Sequence, residues 1–362
     1  MRHRPDLGLQ DVLTSAAGAL GAPSCDDAIG IGSSSFVVVC LVDGLGATLV
    51  ERHPELFPHL MAAGGGSIEA PFPTTTATGL VSLGTGLLPG EHGIVGASFR
   101  LPDTEELLSP LKWGSTPSPI AVQPEPTVFE RVQEAGILGV SIGPRQYAHS
   151  GLTRAAFRGS TYREAASIEE RVQAIGDLNS ISSSAPVLAY AYWPALDRAG
   201  HEFGVDSPQW REAAKHVDHL VAAMRQAIGA HGTLVVTADH GMVDVQKRIW
   251  IDNVSELRAD VHAVAGEPRM RHLYTDLPDT VIARWTRQLG DDATLLTRAA
   301  AIEAGYFGAV DPLLEERIGD VIALPAPGVV LASAGVDDLV SRLPGQHGGL
   351  TEDERRIPGL LL

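Results

Sequence analysis

Seven side chains in this sequence have types and spacing that could do chemistry: Asp43, Asp197, His201, Asp239, His240, His347 and a hydroxyl that we place at Thr76. Carboxylate oxygens, imidazole nitrogens and an alcohol are donors suited to zinc-like ions. Thr76 lies in Phe72-Pro73-Thr74-Thr75-Thr76-Ala77-Thr78-Gly79, a hydroxyl-rich loop followed by the apolar run Leu80-Val81-Ser82-Leu83. A helix beginning there would set free backbone N–H groups and the positive end of its dipole beside the hydroxyl. That setting favours an alkoxide or a bound phosphate, so the stretch reads as a nucleophile loop. The spacing Asp197-x-x-x-His201 puts both side chains on one face of a helical turn.

Each motif alone has a plainer explanation. Asp43-Gly44 is ordinary turn chemistry, and a D-x-x-x-H pair is usually a solvated i,i+4 contact. Asp239-His240-Gly241 reads equally well as a polar turn, a lone His347 as structural, and the threonines as helix caps. Glu91-His92-Gly93 is assigned to structure. What favours a site is where the motifs fall: Asp43, Asp197-x-x-x-His201 and Asp239-His240 each follow a strand, and ligands of open α/β sheets bind beyond the carboxyl ends of strands.

Those strands are Phe36–Val42, 186–192 and Thr233–Thr237, all apolar enough to be buried on both faces. Further strands are expected at 67–70 and 138–142. Helices are expected over 12–22, over 47–63 despite Pro54 and Pro58, after the capping boxes Thr127-x-x-Glu130 and Ser167-x-x-Glu170, and after Ser207-Pro208. The last carries an apolar stripe from Trp210 to Ile228. Residues 100–126 form a proline- and serine-rich excursion. Alternation of strand and helix predicts an α/β fold with a largely parallel sheet covered on both faces. The whole chain, 1–362, reads as one catalytic domain, with 248–325 an inserted cap subdomain holding a strand near 271–274 and a helix near 279–289.

The chain is 44% apolar, enough for a substantial core. Its net charge of −17 disfavours a nucleic-acid polymer as partner. A small phosphorylated molecule remains compatible, because charges beyond the Debye length of about 8 Å are screened. Cys25 and Cys40 lack metal-site spacing and read as packing residues. No apolar run reaches the roughly 18 residues of a membrane span, and the stretch after Arg2-His3-Arg4 reads as an amphipathic helix, so the cytoplasm is expected. There is no G-x-S-x-G elbow, P-loop or H-E-x-x-H motif.

The ordered set Val42-Asp43-Gly44, Phe72 to Thr76, Thr85-Gly86, Pro89, His92-Gly93-Ile94, Asp197-x-x-x-His201, Asp239-His240-Gly241 and His347-Gly348 resembles the type I phosphodiesterase/nucleotide pyrophosphatase family of the alkaline phosphatase superfamily. The resemblance implies a three-layer α/β/α sandwich and a two-zinc site. One ion would be held by Asp43, Thr76, Asp239 and His240, the other by Asp197, His201 and His347. It also implies hydrolysis of a nucleotide or phosphodiester through a phospho-threonine at Thr76. The alternatives are a phosphomonoesterase or phosphonate hydrolase with the same metals, or a metal-binding interaction protein without catalysis. One position departs: the family commonly has Asn three residues after the nucleophile, where this chain has Gly79. A phosphate oxygen must then be held by backbone N–H, by Thr78 or by another residue.

Overall fold

The run Phe36–Val42 is buried at every residue, so layers must cover both of its faces. In the computed structural model, which describes residues 1–102, 104 and 106–362, it is the middle of an eight-stranded sheet. The order across the sheet is Arg2–Gly8, Gly64–Glu69, Arg356–Leu361, Thr233–Thr237, Phe36–Val42, Val187–Trp193, Leu138–Gly143, Thr161–Glu164. All run parallel except Arg356–Leu361, which is antiparallel to both neighbours.

Helices Gln10–Ala19, Thr76–Thr85, Val128–Glu134 and Gly151–Phe157 pack together on one side. Ile168–Ile181, Ala195–Phe203 and Pro208–Ile228 pack together on the other. The result is the three-layer α/β/α sandwich. The helix Pro208–Ile228 buries the stripe Trp210, Ala213, Val217, Leu220, Val221, Met224 and Ile228, and Ser207 Oγ caps it by accepting from Trp210 N–H. Both capping boxes form as expected.

Two expectations need correction, and two strands were not foreseen. The segment 47–63 is not one helix: it breaks into Ala47–Arg52, a 3-10 turn Pro54–Leu56 and Pro58–Met61, restarting at each proline. Proline lacks the N–H and clashes with the preceding turn. The basic residues after Met1 lie in the edge strand Arg2–Gly8, and the helix behind it is Gln10–Ala19. Arg356–Leu361 and Thr161–Glu164 are strands that the sequence pattern did not suggest.

Between Ala263 and Pro325 lies a second sheet of four antiparallel strands, ordered Ala263–Glu267, Met270–Tyr274, Val321–Pro325, Ala293–Thr297. Pro278–Leu289 packs on it around Leu273, Val281, Trp285 and Val321. Val329–Ala332 is a strand, but it pairs with Lys247–Trp250 outside the main sheet. Among the described residues no helix is long and apolar enough to cross a membrane.

Candidate functional site

Three neighbouring parallel strands deliver the acidic motifs to one end of the sheet. Phe36–Val42 ends at Asp43, Thr233–Thr237 leads to Asp239-His240, and Val187–Trp193 leads to the helix Ala195–Phe203 bearing Asp197 and His201. Backbone bonds tie these ends together: Asp43 N–H donates to Trp193 O (3.0 Å) and Asp197 N–H to Asp43 O (3.1 Å). Gly44, at φ 76°, lies so close to Asp197 that a Cβ would come within 3.0 Å of its Cα. Thr76 opens the helix Thr76–Thr85. His347 follows Gly345–Gln346, which pairs with Val243–Asp244 and so returns the late loop to the same end. The structure thus brings together all seven residues singled out from the sequence.

They form two adjoining groups. His240 Nε2 lies 3.3 Å from Thr76 Oγ1, 3.4 Å from Asp43 Oδ1 and 3.6 Å from Asp239 Oδ2. His201 Nε2 lies 3.1 Å from His347 Nε2 and 3.4 Å from Asp197 Oδ1, which is 3.9 Å from His347 Nε2. The rings of His240 and His347 stack at 3.6 Å, and donor atoms of His240 belong within 4.8 Å to both Asp43/Asp239 and Asp197/His347.

The hydrogen bonds behind these groups indicate what they face. Each imidazole has its Nδ1 against a backbone carbonyl: His201 on Gly345 O (2.8 Å), His240 on Gly241 O (2.9 Å) and His347 on Thr74 O (2.9 Å). A carbonyl only accepts, so Nδ1 carries a proton, and in the neutral ring each Nε2 presents a lone pair inward. Two lone pairs 3.1 Å apart, on His201 and His347, repel unless a cation lies between them. The carboxylates repeat the pattern. Asp43 Oδ2 accepts from the Tyr192 hydroxyl, and Asp239 Oδ1 accepts from the N–H groups of Gly44 (3.3 Å) and His240 (3.1 Å). Their other oxygens, with Asp197 Oδ1, are buried without a hydrogen-bond partner among the described residues.

Burial, then the Asp239 and Asp197 carboxylates, pushes the Asp43 carboxyl well above its usual range. Burial also raises Asp239. Burial, then the neighbouring imidazoles, holds His347 well below the usual imidazole range. Buried carboxylates and inward lone pairs are costly alone and are the deprotonated donors that divalent cations require. The donor set therefore fits a metal centre.

The threonines divide by partner. Thr75 is the N-cap residue but makes no capping bond with its side chain. Thr78 is not available for a phosphate oxygen, because its hydroxyl donates to the carbonyls of Pro73 and Thr75. Thr74 bridges to Gly348 and Gly349. Only the Thr76 hydroxyl reaches an inward imidazole nitrogen. Gly79 faces Asp239, whose Cβ would sit 2.7 Å from a Cβ built there. His92 is structural, as assigned: its Nδ1 accepts from Ile94 N–H and its Nε2–H donates to Ser82 Oγ.

A cleft of about 290 Å³ opens onto Thr76, Asp43, Asp197 and His201. Its walls are Tyr147, Phe157, Tyr162, Tyr190 and Tyr192 with Leu80, Ile142 and Leu152, and exposed Leu111 and Arg198 also line it. The sequence pattern did not single out the tyrosines of these walls. The signal was present in Tyr190 and Tyr192, two residues apart on one face of a strand entering the site. Arg269 and Arg271 do not line the cleft. Both are buried, in paired hydrogen bonds to Glu354 and Asp337 respectively.

Comparison with known proteins follows the same lines. The type I phosphodiesterase/nucleotide pyrophosphatase description matches residues 37–350. An uncharacterized pyrophosphatase/phosphodiesterase of Schizosaccharomyces pombe is 26% identical over 248 residues, 63% of this chain and 49% of that protein. Human ectonucleotide pyrophosphatase/phosphodiesterase family member 7 is 36% identical over 66 residues, 17% of this chain and 14% of that one. The chain thus spans half or less of the length of these curated relatives. Murine ectonucleotide pyrophosphatase/phosphodiesterase 5 superposes with a TM-score of 0.71 at 22% identity, over 90% of this chain and 87% of that one. An inactive threonine-to-alanine variant of that murine protein, in complex with AMP, superposes equally well. The shared fold is that of the alkaline phosphatase superfamily, and a match running from the first central strand to the loop of His347 means that the chain belongs to the type I phosphodiesterase/nucleotide pyrophosphatase family.

Proposed function

We propose that the protein hydrolyses a phosphodiester or phosphoanhydride bond of a nucleotide-like molecule, with Thr76 as nucleophile. The observation that carries this reading is the aromatic cleft opening directly onto the Thr76 hydroxyl. Tyrosine and phenylalanine faces suit a flat ring carried on the reacting phosphorus. AMP bound to the murine relative supports a nucleotide as that group. Two divalent cations, most readily zinc, held by Asp43, Thr76, Asp239 and His240 and by Asp197, His201 and His347, would supply Lewis acidity and positive charge when bound.

The chain's own residues do the rest. Thr76 Oγ1 attacks phosphorus, the bond to the leaving oxygen breaks, and that group departs with the proton given up by the hydroxyl. Water then cleaves the phospho-threonine, releasing the phosphorylated product and restoring Thr76. Backbone N–H groups of the first helical turn hold a non-bridging oxygen, since Gly79 has no side chain and Thr78 is engaged elsewhere. The aromatic walls call for an organic group on phosphorus, which diesters, anhydrides and organic monoesters all carry, so substrate comparison separates them. A phosphonate bearing a carboxylate would find, among the described residues lining the cleft, Arg198 and His201 as the basic side chains.

The test compares bis-p-nitrophenyl phosphate, dinucleotides, p-nitrophenyl phosphate and phosphonoacetate. Diesters should be turned over fastest, chelator should stop turnover, and zinc should restore it. Thr76→Ala should abolish turnover while metal content per chain stays largely intact. Preference for the monoester or the phosphonate would replace the diester reading. A zinc-loaded protein inert across the panel would leave the non-catalytic metal-binding alternative.

A further inference from the structure

Arg269 and Glu354 form a buried ion pair, 1% and 0% exposed, that does not line the aromatic cleft. Their surroundings explain why a charge pair is kept there. Glu354 Oε1 accepts from Arg269 Nε (3.0 Å) and from the N–H of Gly349 (2.8 Å), two residues beyond His347. Oε2 accepts from Arg269 Nη2 (3.0 Å) and from the N–H (3.2 Å) and hydroxyl (2.7 Å) of Thr351. The backbone carbonyl of Glu354 accepts from Gly241 N–H (2.9 Å), and the carbonyl of Gly241 in turn fixes His240 Nδ1. One residue thus holds the segments behind two inward-facing imidazoles.

The contacts leave no slack. A Cβ at position 349 would lie 2.8 Å from Glu354 Oε2 and 2.9 Å from Arg269 Nη2, and a Cβ at 241 would lie 1.9 Å from Asp353 O. On its far side Arg269 Nη1 donates to the carbonyls of Ala326 (2.7 Å) and Val329 (2.6 Å). Arg269 sits in the tight turn joining Ala263–Glu267 to Met270–Tyr274, so it anchors the pair in the second sheet. The His347 loop is held from the opposite direction by Thr74, whose hydroxyl donates to Gly349 O (2.9 Å) and accepts from Gly348 N–H (3.1 Å).

We propose that Arg269 and Glu354 are positioning residues: a buried strut through which the second sheet sets the placement of His240 and His347, and so the metal affinity of the centre. This rests on the metal-site reading given above. A buried ion pair adds little net stability over a shape-matched apolar pair, whereas its directed hydrogen bonds fix one geometry. Residues behind metal ligands typically change metal affinity or activity by about 10–100-fold when altered.

The experiment is a chelator-competition titration of zinc on the 362-residue chain, with thermal unfolding of the metal-free forms alongside. Glu354→Gln keeps an acceptor for Gly349 but removes the charge that Arg269 requires. Arg269→Lys keeps the charge but loses the fork, and remains informative if Glu354→Gln does not fold. Each should weaken zinc binding by about 10–100-fold, with the double variant little worse than either. Excess zinc should recover much of the kcat of each single variant. Arg271→Met is the control, breaking the Arg271–Asp337 pair (0% and 13% exposed), which among the described residues makes no hydrogen bond to either ligand loop. It should lower the unfolding temperature and leave zinc affinity unchanged. Zinc affinity in Glu354→Gln or Arg269→Lys equal to wild type overturns the strut alone, as does an equal loss in Arg271→Met. A wild-type protein that takes up no divalent cation overturns the metal reading, and the strut with it.

Discussion

At Gly79 the helix opened by Thr76 passes so close to Asp239 that only a missing side chain lets the two coexist. The departure from the family's asparagine is therefore a packing constraint, tied to a carboxylate of the centre. Gly79→Ala should cost about 1–3 kcal/mol in urea unfolding, the usual range for overpacking, and should weaken zinc uptake by moving Asp239. Unchanged values for both would mean that the helix yields freely. At this scale the sequence was informative about donor identity, because carboxylates and imidazoles at strand ends are local facts. It could not rank four threonines, since Thr74, Thr75, Thr76 and Thr78 differ only in partners distant in sequence. Nor could it show that the Tyr192 hydroxyl occupies one oxygen of Asp43, which leaves the other free to face inward.

Helices with their own start signals were legible: Thr127, Ser167 and Ser207 all cap the helices they were expected to open. Ser207→Ala should cost about 1 kcal/mol by denaturant unfolding, the typical loss of an N-cap, with activity unaffected because the cap lies outside the cleft. The strand Arg356–Leu361 was not legible. Its sequence, Arg-Ile-Pro-Gly-Leu-Leu, holds a proline and a glycine, and no alternation marks it as a strand. It becomes one because Gly64–Glu69 and Thr233–Thr237 leave a slot between them, which is information carried by tertiary pairing. The prolines of 47–63 show the converse, a helical pattern overruled by local backbone chemistry.

For the whole molecule, buried groups set a pH profile. Burial lowers His92 to about 3 and His272 to about 4, so between those values and about 6.5 the unfolded chain binds protons that the folded one does not. Stability from these histidines is present above pH 6.5 and is lost as pH falls. Glu267 acts in the opposite sense: burial raises it to about 8, so the folded chain keeps a proton that the unfolded one releases near 4.5, and stability falls as pH rises through that window. Together they place maximum stability of the zinc-loaded protein near pH 6.5, with a slope of about 1.4 kcal/mol per pH unit for each uncompensated proton. Urea midpoints from pH 4 to 9 check this. The metal-free protein should lose more at high pH, because Asp43 and Asp239 then ionise without a counter-charge. A monotonic rise in stability up to pH 9 would contradict the assignment.

The antiparallel strand in the middle of the sheet also bears on how the protein is made. Arg2–Gly8 and Gly64–Glu69 leave the ribosome early, yet the inner edge of that pair stays open until Arg356–Leu361 has been synthesised. At about 5–20 residues per second the delay is tens of seconds. Through that interval a nascent chain displays an unpaired edge, and for most of it lacks the His347 loop of the candidate site. Protection of the open Gly64–Glu69 edge until Arg356–Leu361 pairs with it is what the topology asks of the cell.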